Sequence, residues 1–330
     1  MSEIHTIESQ ELIQHLRTRV NARLREVAGE QEFPKTLYGP IQYVLEGNGK
    51  RIRPILLLLV NEAYGGPEDT ALEAAVSLEM LHNFTLIHDD IMDDDSQRRG
   101  KPTVHTKWNI STGILSGDGL LAMAYKVLLG VENRALPEIL ECYTEGLIDI
   151  CEGQAYDKEF ETRSDVSLEE YLMMIGKKTG RLLSLCCRIG GLIAGAPADQ
   201  IRQIEQFGFS VGTAFQVQDD LLELTSTSGV MGKSLGSDFF AEKKTFVFLK
   251  ALELADEEAR RFIREMMKSN VDDMSQLNEL KQAIQDTGVV ELTRDYVAKK
   301  IRKAKNILDS LPADVTHLRF LTEQLLNRKS

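Results

Sequence analysis

An all-α fold is predicted by three features of this chain. Apolar residues recur at helical spacing along nearly its whole length, strand signals are weak, and Ala, Leu and Glu dominate the stretches between breaks. With only 6% aromatic residues and no run of alternating β-branched residues, little in the sequence favours a sheet. At 330 residues and 42% hydrophobic content the chain can bury a large core. No Pro/Ser-rich linker interrupts it, so a single domain spanning 1–330 is expected, built as a helical bundle.

The elements follow in order from stripes and breaks. Leu12, Leu16, Val20 and Leu24 recur one helical turn apart and mark the buried face of a first helix. Breaks are expected at Asn48-Gly49, Gly65-Gly66-Pro67, Arg99-Gly100-Lys101-Pro102, Ala196-Pro197 and across 228–236. Two apolar helical runs, LEMLHNFTLIH (78–88) and FSVGTAFQVQ (209–218), each end in a cluster of acids. Gly190-Gly191-Leu192-Ile193-Ala194-Gly195 combines small and apolar residues, as an interior helix in tight packing requires. From about Ala251 onward charge alternates with Leu, Ile and Met, the pattern of outer helices with one solvated face.

Bulk properties exclude several functions. A net charge of −12 argues against nucleic acid or an anionic membrane surface as a partner. Cys142, Cys151, Cys186 and Cys187 show no CxxC spacing, so free thiols in a reducing cytoplasm are expected. The N-terminal stretch is polar and acidic, unlike a signal peptide. The longest apolar run, Ile55 to Val60, is too short for an integral membrane segment. A soluble cytoplasmic protein is therefore predicted.

The acid clusters carry the chemistry. In Asp89-Asp90-Ile91-Met92-Asp93, residues 89 and 93 share a helix face; in Asp219-Asp220-Leu221-Leu222-Glu223, residues 219 and 223 do. Carboxylates crowded beside apolar surface are costly unless cations neutralise them, and hard oxygen ligands favour magnesium or a similar ion. Neither cluster has the spacing of a calcium loop. Facing each other, they would clamp a polyanion such as a diphosphate through metals. Basic residues lie where bare phosphate oxygens would need them: Lys50 and Arg53 three apart at a helix start, Arg98-Arg99 after the first cluster, Lys178 midway, and Lys233 to Lys243 after the second. Metal-binding acids beside free cations imply two diphosphates, one metal-bound and one not. For any of these residues alone, a solvated surface or ordinary ion pair is the competing reading; the repetition of the pattern tells against it.

GKRIRP (49–54), HDDIMDDDSQRRGKPTVH (88–105), GDGLLA (117–122), KTG (178–180), FQVQDDLLE (215–223) and GKSLGSDFFAEKKTF (232–246) resemble, in order and spacing, the trans-polyprenyl diphosphate synthase family. The resemblance implies an isoprenoid synthase-like helical bundle around a central cavity, a homodimer, with the aspartate motifs facing each other across the mouth. It implies magnesium ligands at Asp89, Asp93 and Asp219, with Asp90, Asp220, Glu223 and Asp238 in the surrounding metal network. Arg98, Lys178 and Lys243, assisted by Lys233, resemble the groups that grip an allylic diphosphate. Lys50, Arg53, His82 and Arg99 resemble the pocket for the diphosphate of isopentenyl diphosphate, and Thr179 and Gln216 those near the developing carbocation. Two departures stand out: Glu223 and Glu242 occupy positions where the family usually has Asp and Gly.

The implied reaction is a magnesium-dependent head-to-tail condensation of isopentenyl diphosphate with an allylic diphosphate. A helical turn rises about 5.4 Å, close to one isoprene unit, so residues before Asp89 should measure product length. Phe84 and Thr85 lie five and four residues upstream; one aromatic there resembles a geranylgeranyl (twenty-carbon) type, with Leu78, Met80 and Leu81 expected in the next layer. A farnesyl (fifteen-carbon) synthase is the near alternative. A terpene cyclase, or a non-catalytic subunit of a heteromeric synthase, fits less well, because both acid motifs and the second cationic pocket are retained.

Overall fold

The structure, a computed structural model, describes residues 3–47, 49–225, 243–268 and 274–326. Among these residues the only strands form a two-residue-long, two-stranded ribbon, so the all-α expectation is borne out. The helices are α1 (Glu3–Gly29), α2 (Lys35–Leu45), α3 (Ile52–Ala63), α4 (Glu68–Met92), α5 (Val104–Lys107), α6 (Ile110–Leu128), α7 (Leu136–Thr162), α8 (Leu168–Ile175), α9 (Arg181–Ala194) and α10 (Ala198–Thr225). After the undescribed segment follow α11 (Phe246–Leu254), α12 (Glu257–Lys268), α13 (Met274–Asp286), α14 (Val289–Ser310) and α15 (Thr316–Leu326). The breaks at 65–67, 99–102 and 196–197 fall between helices; Asn48 and 228–236 lie outside the described residues.

Burial follows the apolar pattern. Leu16, Val20 and Leu24 of α1 are sealed in the core, and Leu12 packs at its edge. The run from Ile55 to Val60 is buried on every side, because α3 lies between α4 and α9. Each such side chain contributes about 1.5–3 kcal/mol relative to exposure. Contact between α3 and α9 is close because Gly190 has no side chain: a Cβ there would lie 2.5 Å from the carbonyl oxygen of Leu57. α4 packs along α6, and α10 lies between α9 and α14.

Two features position the site. The ribbon pairs Gln97 with Pro102 and Arg98 with Lys101. Its tip is Arg99-Gly100, both with positive φ (54° and 73°), the geometry that closes a two-residue hairpin. Between α8 and α9 the helix widens into a π turn, Gly176–Gly180, which carries Lys178 and Thr179. Such widened turns recur at functional sites because they re-aim side chains out of helical register.

Candidate active site

Both acid clusters sit at the C-terminal ends of long helices, α4 and α10, where the helix dipole disfavours carboxylates. Cations compensate. The Asp93 side chain is nearly enclosed, with Lys158 Nζ 3.3 Å from Oδ1 and Lys243 Nζ 2.7 Å from Oδ2. Burial pushes its pKa up, but Lys243, Lys178 and Lys158 together hold it below the ordinary carboxylate range. Asp89 accepts a hydrogen bond from Lys178 Nζ at 3.1 Å, and Lys178 also donates to Asp157 at 2.7 Å. Arg98 donates through Nε to Asp90 at 2.5 Å and lies within 3.8 Å of Asp89 and 3.6 Å of Asp95. Burial raises Asp90 to about 6 against the pull of Arg98.

The π turn connects the two clusters. Lys178 binds Asp89 on one side; on the other, the Thr179 hydroxyl donates to Gln216 Oε1 at 3.1 Å, and Gln216 Nε2 donates to Asp220 at 3.2 Å. Asp220 is buried and also accepts from Tyr171 Oη at 2.5 Å and from the Phe246 amide at 2.8 Å. Its carboxylate therefore ties α8, α10 and the start of α11 together. Asp219 and Glu223 are half-buried one turn apart on α10, and Lys281 donates to the Glu223 carbonyl at 2.5 Å.

Beneath this rim lies a cavity of about 440 Å³, bordered by Asp89, Lys178, Thr179 and Gln216 at the mouth and by Phe84, Ile150, Leu182 and Phe215 deeper down. Thr85 borders it too, its hydroxyl turned back to the His82 carbonyl at 2.8 Å. Leu78, Met80 and Leu81, expected in the next layer, are sealed in the core and do not border it. At one side Arg53 Nη1 lies 3.0 Å from His82 Nε2. Burial, reinforced by Arg53, Arg99, Arg98 and Arg51, drives the His82 pKa well down, so the ring is neutral beside the guanidinium. Burial also lowers Arg53 and Arg99. Arg99 lies against Gly49, whose missing Cβ would be 3.0 Å from Nη1.

The structure thus brings together Asp89, Asp90, Asp93, Arg98, Lys178 and Lys243, and joins Thr179, Gln216 and Asp220 to them. Arg53, His82 and Arg99 form a second cationic group. Lys50 is exposed and borders a groove of about 540 Å³ with Arg17 and Phe320. Lys233, Asp238 and Glu242 lie outside the described residues. Reading the sequence missed Asp157 and Lys158, the partners of Lys178 and Asp93, and Tyr171, which holds Asp220. The only signal was a polar stripe at 154, 157 and 158 on α7, which looks like any solvated face. Arg51 is buried on Glu79 at 2.7 Å and donates to the carbonyls of Leu45 and Gly47, fastening α3 to α4.

Glycines set the π turn in place. A Cβ on Gly153 would lie 2.5 Å from the Lys178 amide nitrogen, and one on Gly212 would lie 2.9 Å from the Gly180 Cα. Both obstacles are backbone, which cannot rotate away. Gly153→Ala is expected to destabilise the protein by about 1–3 kcal/mol through overpacking. Thermal unfolding of the variant checks this; an unchanged midpoint would mean that the turn shifts without strain.

An all-helical bundle with charged groups linked across the mouth of an apolar cavity is an arrangement able to hold a ligand with an ionic head at the rim and an apolar chain below. A sequence profile of the polyprenyl synthetase family matches residues 34–286, and the chain belongs to that family. It is a prenyltransferase. The geranylgeranyl diphosphate synthase of Sulfolobus acidocaldarius is 38% identical over 285 residues, covering 85% of this chain and 84% of its own. The geranylfarnesyl diphosphate synthase of Natronomonas pharaonis is 35% identical, over 88% and 89%. Among solved structures, the geranylgeranyl pyrophosphate synthetase from Pyrococcus horikoshii superposes with a TM-score of 0.90 at 33% identity, over 98% of this chain and 100% of that one.

Proposed function

We propose that this prenyltransferase condenses isopentenyl diphosphate head-to-tail with allylic diphosphates to give an all-trans short-chain product, the twenty-carbon geranylgeranyl diphosphate. The observation that carries the reading is the hydrogen-bonded path from Asp89 through the π turn to Asp220 above an apolar cavity. Relatives that bear names of twenty- and twenty-five-carbon synthases support a product in that range.

Magnesium fits the donor set. Among the described residues no three His, Cys, Asp or Glu side chains form a cage by themselves. Magnesium is usually held by one or two carboxylates plus substrate phosphate oxygens, which Asp89 and Asp93 on one side and Asp219 on the other could supply. Asp220, saturated by protein donors, and Asp90, held by Arg98, act in this reading as supports. Bound there, the metal would neutralise charge developing on the leaving diphosphate.

The protein's own groups do the rest. Lys178, Arg98 and Lys243 exchange carboxylate partners for diphosphate oxygens; Lys233 and Asp238, outside the described residues, keep the roles that the family resemblance implies, Lys233 assisting these cations and Asp238 in the metal network. Arg53, His82, Arg99 and Lys50 receive the diphosphate of isopentenyl diphosphate. The allylic C–O bond ionises with its electron pair going to the diphosphate, while Thr179 and Gln216 present oxygens towards the cation. The isopentenyl double bond forms the new C–C bond, and the proton lost from the adjacent carbon goes to the departing diphosphate. A homodimer is part of the proposal: Ile110, Ile114 and Leu115 stand exposed on α6 beside Trp108. So is a cytoplasmic location, to which four free cysteines are suited; among the described residues no helix is long and apolar enough to cross a membrane.

The test is incubation with labelled isopentenyl diphosphate, magnesium and dimethylallyl, geranyl or farnesyl diphosphate, followed by chain-length analysis. A dominant twenty-carbon product is expected. A fifteen-carbon product would keep the chemistry and move the cavity floor, whereas no condensation with any primer would overturn the proposal.

A further inference from the structure

Gln154 lies on α7 and borders the cavity, yet both polar atoms of its amide are shut off from solvent and have no hydrogen-bond partner. Buried polar groups in folded proteins are nearly always paired, and an unpaired one costs its full desolvation. An aliphatic side chain would fill the same space, against Ile150 one turn deeper, without that penalty. The amide therefore destabilises the substrate-free protein, and a chemical reason for it is to be sought in the substrate.

Its place supplies one. Four residues towards the rim on the same helix face is Lys158, bonded to Asp93; four residues towards the floor is Ile150. Neighbouring Gly153 abuts Lys178, whose ammonium holds Asp89. Gln154 thus sits where the charged mouth gives way to the apolar chamber, with Thr179 and Gln216 also lining that chamber.

Resting on the function proposed above, we infer that the Gln154 amide spans the bond that breaks. Its N–H donates to an oxygen of the allylic diphosphate, and its carbonyl oxygen faces the allylic carbons. The intact ester offers the carbonyl oxygen nothing. Once the C–O pair has moved to the diphosphate, the same oxygen faces positive charge, and the N–H faces an oxygen carrying more negative charge. Both ends of the amide dipole gain together, so the interaction is stronger in the transition state than in the ground state and raises kcat. No proton moves to or from Gln154; it acts by charge and dipole alone.

The experiment compares the full-length protein with Gln154→Met and Gln154→Leu, measuring kcat, KM for both diphosphates and the thermal midpoint. Expected for both variants is a kcat about a hundredfold lower, KM values within threefold, and a midpoint unchanged or raised because an unpaired buried amide is gone. A kcat within threefold of the parent in either variant overturns the inference. A fall of kcat and midpoint together overturns it too, since it assigns Gln154 to packing. Absence of condensation by the unsubstituted protein overturns the underlying function and this inference at once.

Discussion

Asp89→Ala is expected to slow condensation about a thousandfold, equivalent to about 4 kcal/mol of transition-state stabilisation, with the helical fold retained. The carboxylate projects at the rim, where among the described residues it meets Lys178 and the edge of Arg98. Its removal strands neither cation: Lys178 keeps Asp157 at 2.7 Å, and Arg98 keeps Asp90. Stability therefore changes little, and the loss falls on the chemistry. Asp220→Ala is expected to fail by another route. It would orphan donors from Tyr171, Phe246 and Gln216 in a buried setting, at about 1–3 kcal/mol each. Steady-state kinetics beside thermal unfolding separates the two: Asp89→Ala should lose rate at an unchanged midpoint, and Asp220→Ala should lose the midpoint itself. If Asp89→Ala keeps kcat within tenfold, its carboxylate has no part in catalysis.

Phe84→Ala is expected to lengthen the product beyond twenty carbons. Phe84 borders the cavity while only 8% exposed, and its ring meets His88 edge-on at 4.8 Å between centroids. Upstream of it on α4, His82 borders the cavity at the side held by Arg53 while Leu78, Met80 and Leu81 do not border it, so this ring acts as a floor. Its loss would open space of the order of one helical turn, about 5.4 Å, which matches one more isoprene unit. The same contact predicts an opposite change. Gly117 on α6 lies against His88, and a Cβ there would come within 2.2 Å of Nε2. Gly117→Ala should push the imidazole towards the cavity and shorten the product. Chromatography of the dephosphorylated products reads both; products of unchanged length from both variants would place the floor elsewhere.

The parts of the site legible in the sequence were those written in local spacing. Asp89 with Asp93 and Asp219 with Glu223 fall on shared faces because a helix repeats every 3.6 residues or so, whatever surrounds it. The same periodicity announced the buried stripe of α1 and the all-helical class. Lys178 stood out as a cation midway between the acid clusters and Thr179 through the KTG motif, and no spacing rule foretold the π turn that aims them. Spacing is silent on Arg51, which stands between Lys50 and Arg53 in the same basic run yet is buried on Glu79, a partner on another helix.

The sequence by itself determined that this chain is helical, that it concentrates carboxylates at two helix ends, and that basic residues follow each cluster. Tertiary structure alone decided which carboxylates are bound into the frame and by which partners. Asp219 and Asp220 are neighbours of identical chemistry, yet Asp220 is enclosed by Tyr171 and the Phe246 amide, groups 49 and 26 residues away. Asp93 meets Lys243 across 150 residues, and the π turn finds its seat where Gly153 and Gly212 leave room for backbone. Helical periodicity is a property of consecutive residues and survives in the linear text. Ion pairs, buried amides and backbone contacts depend on how helices pack, and a residue poised over a cavity reads, one letter at a time, like one facing water.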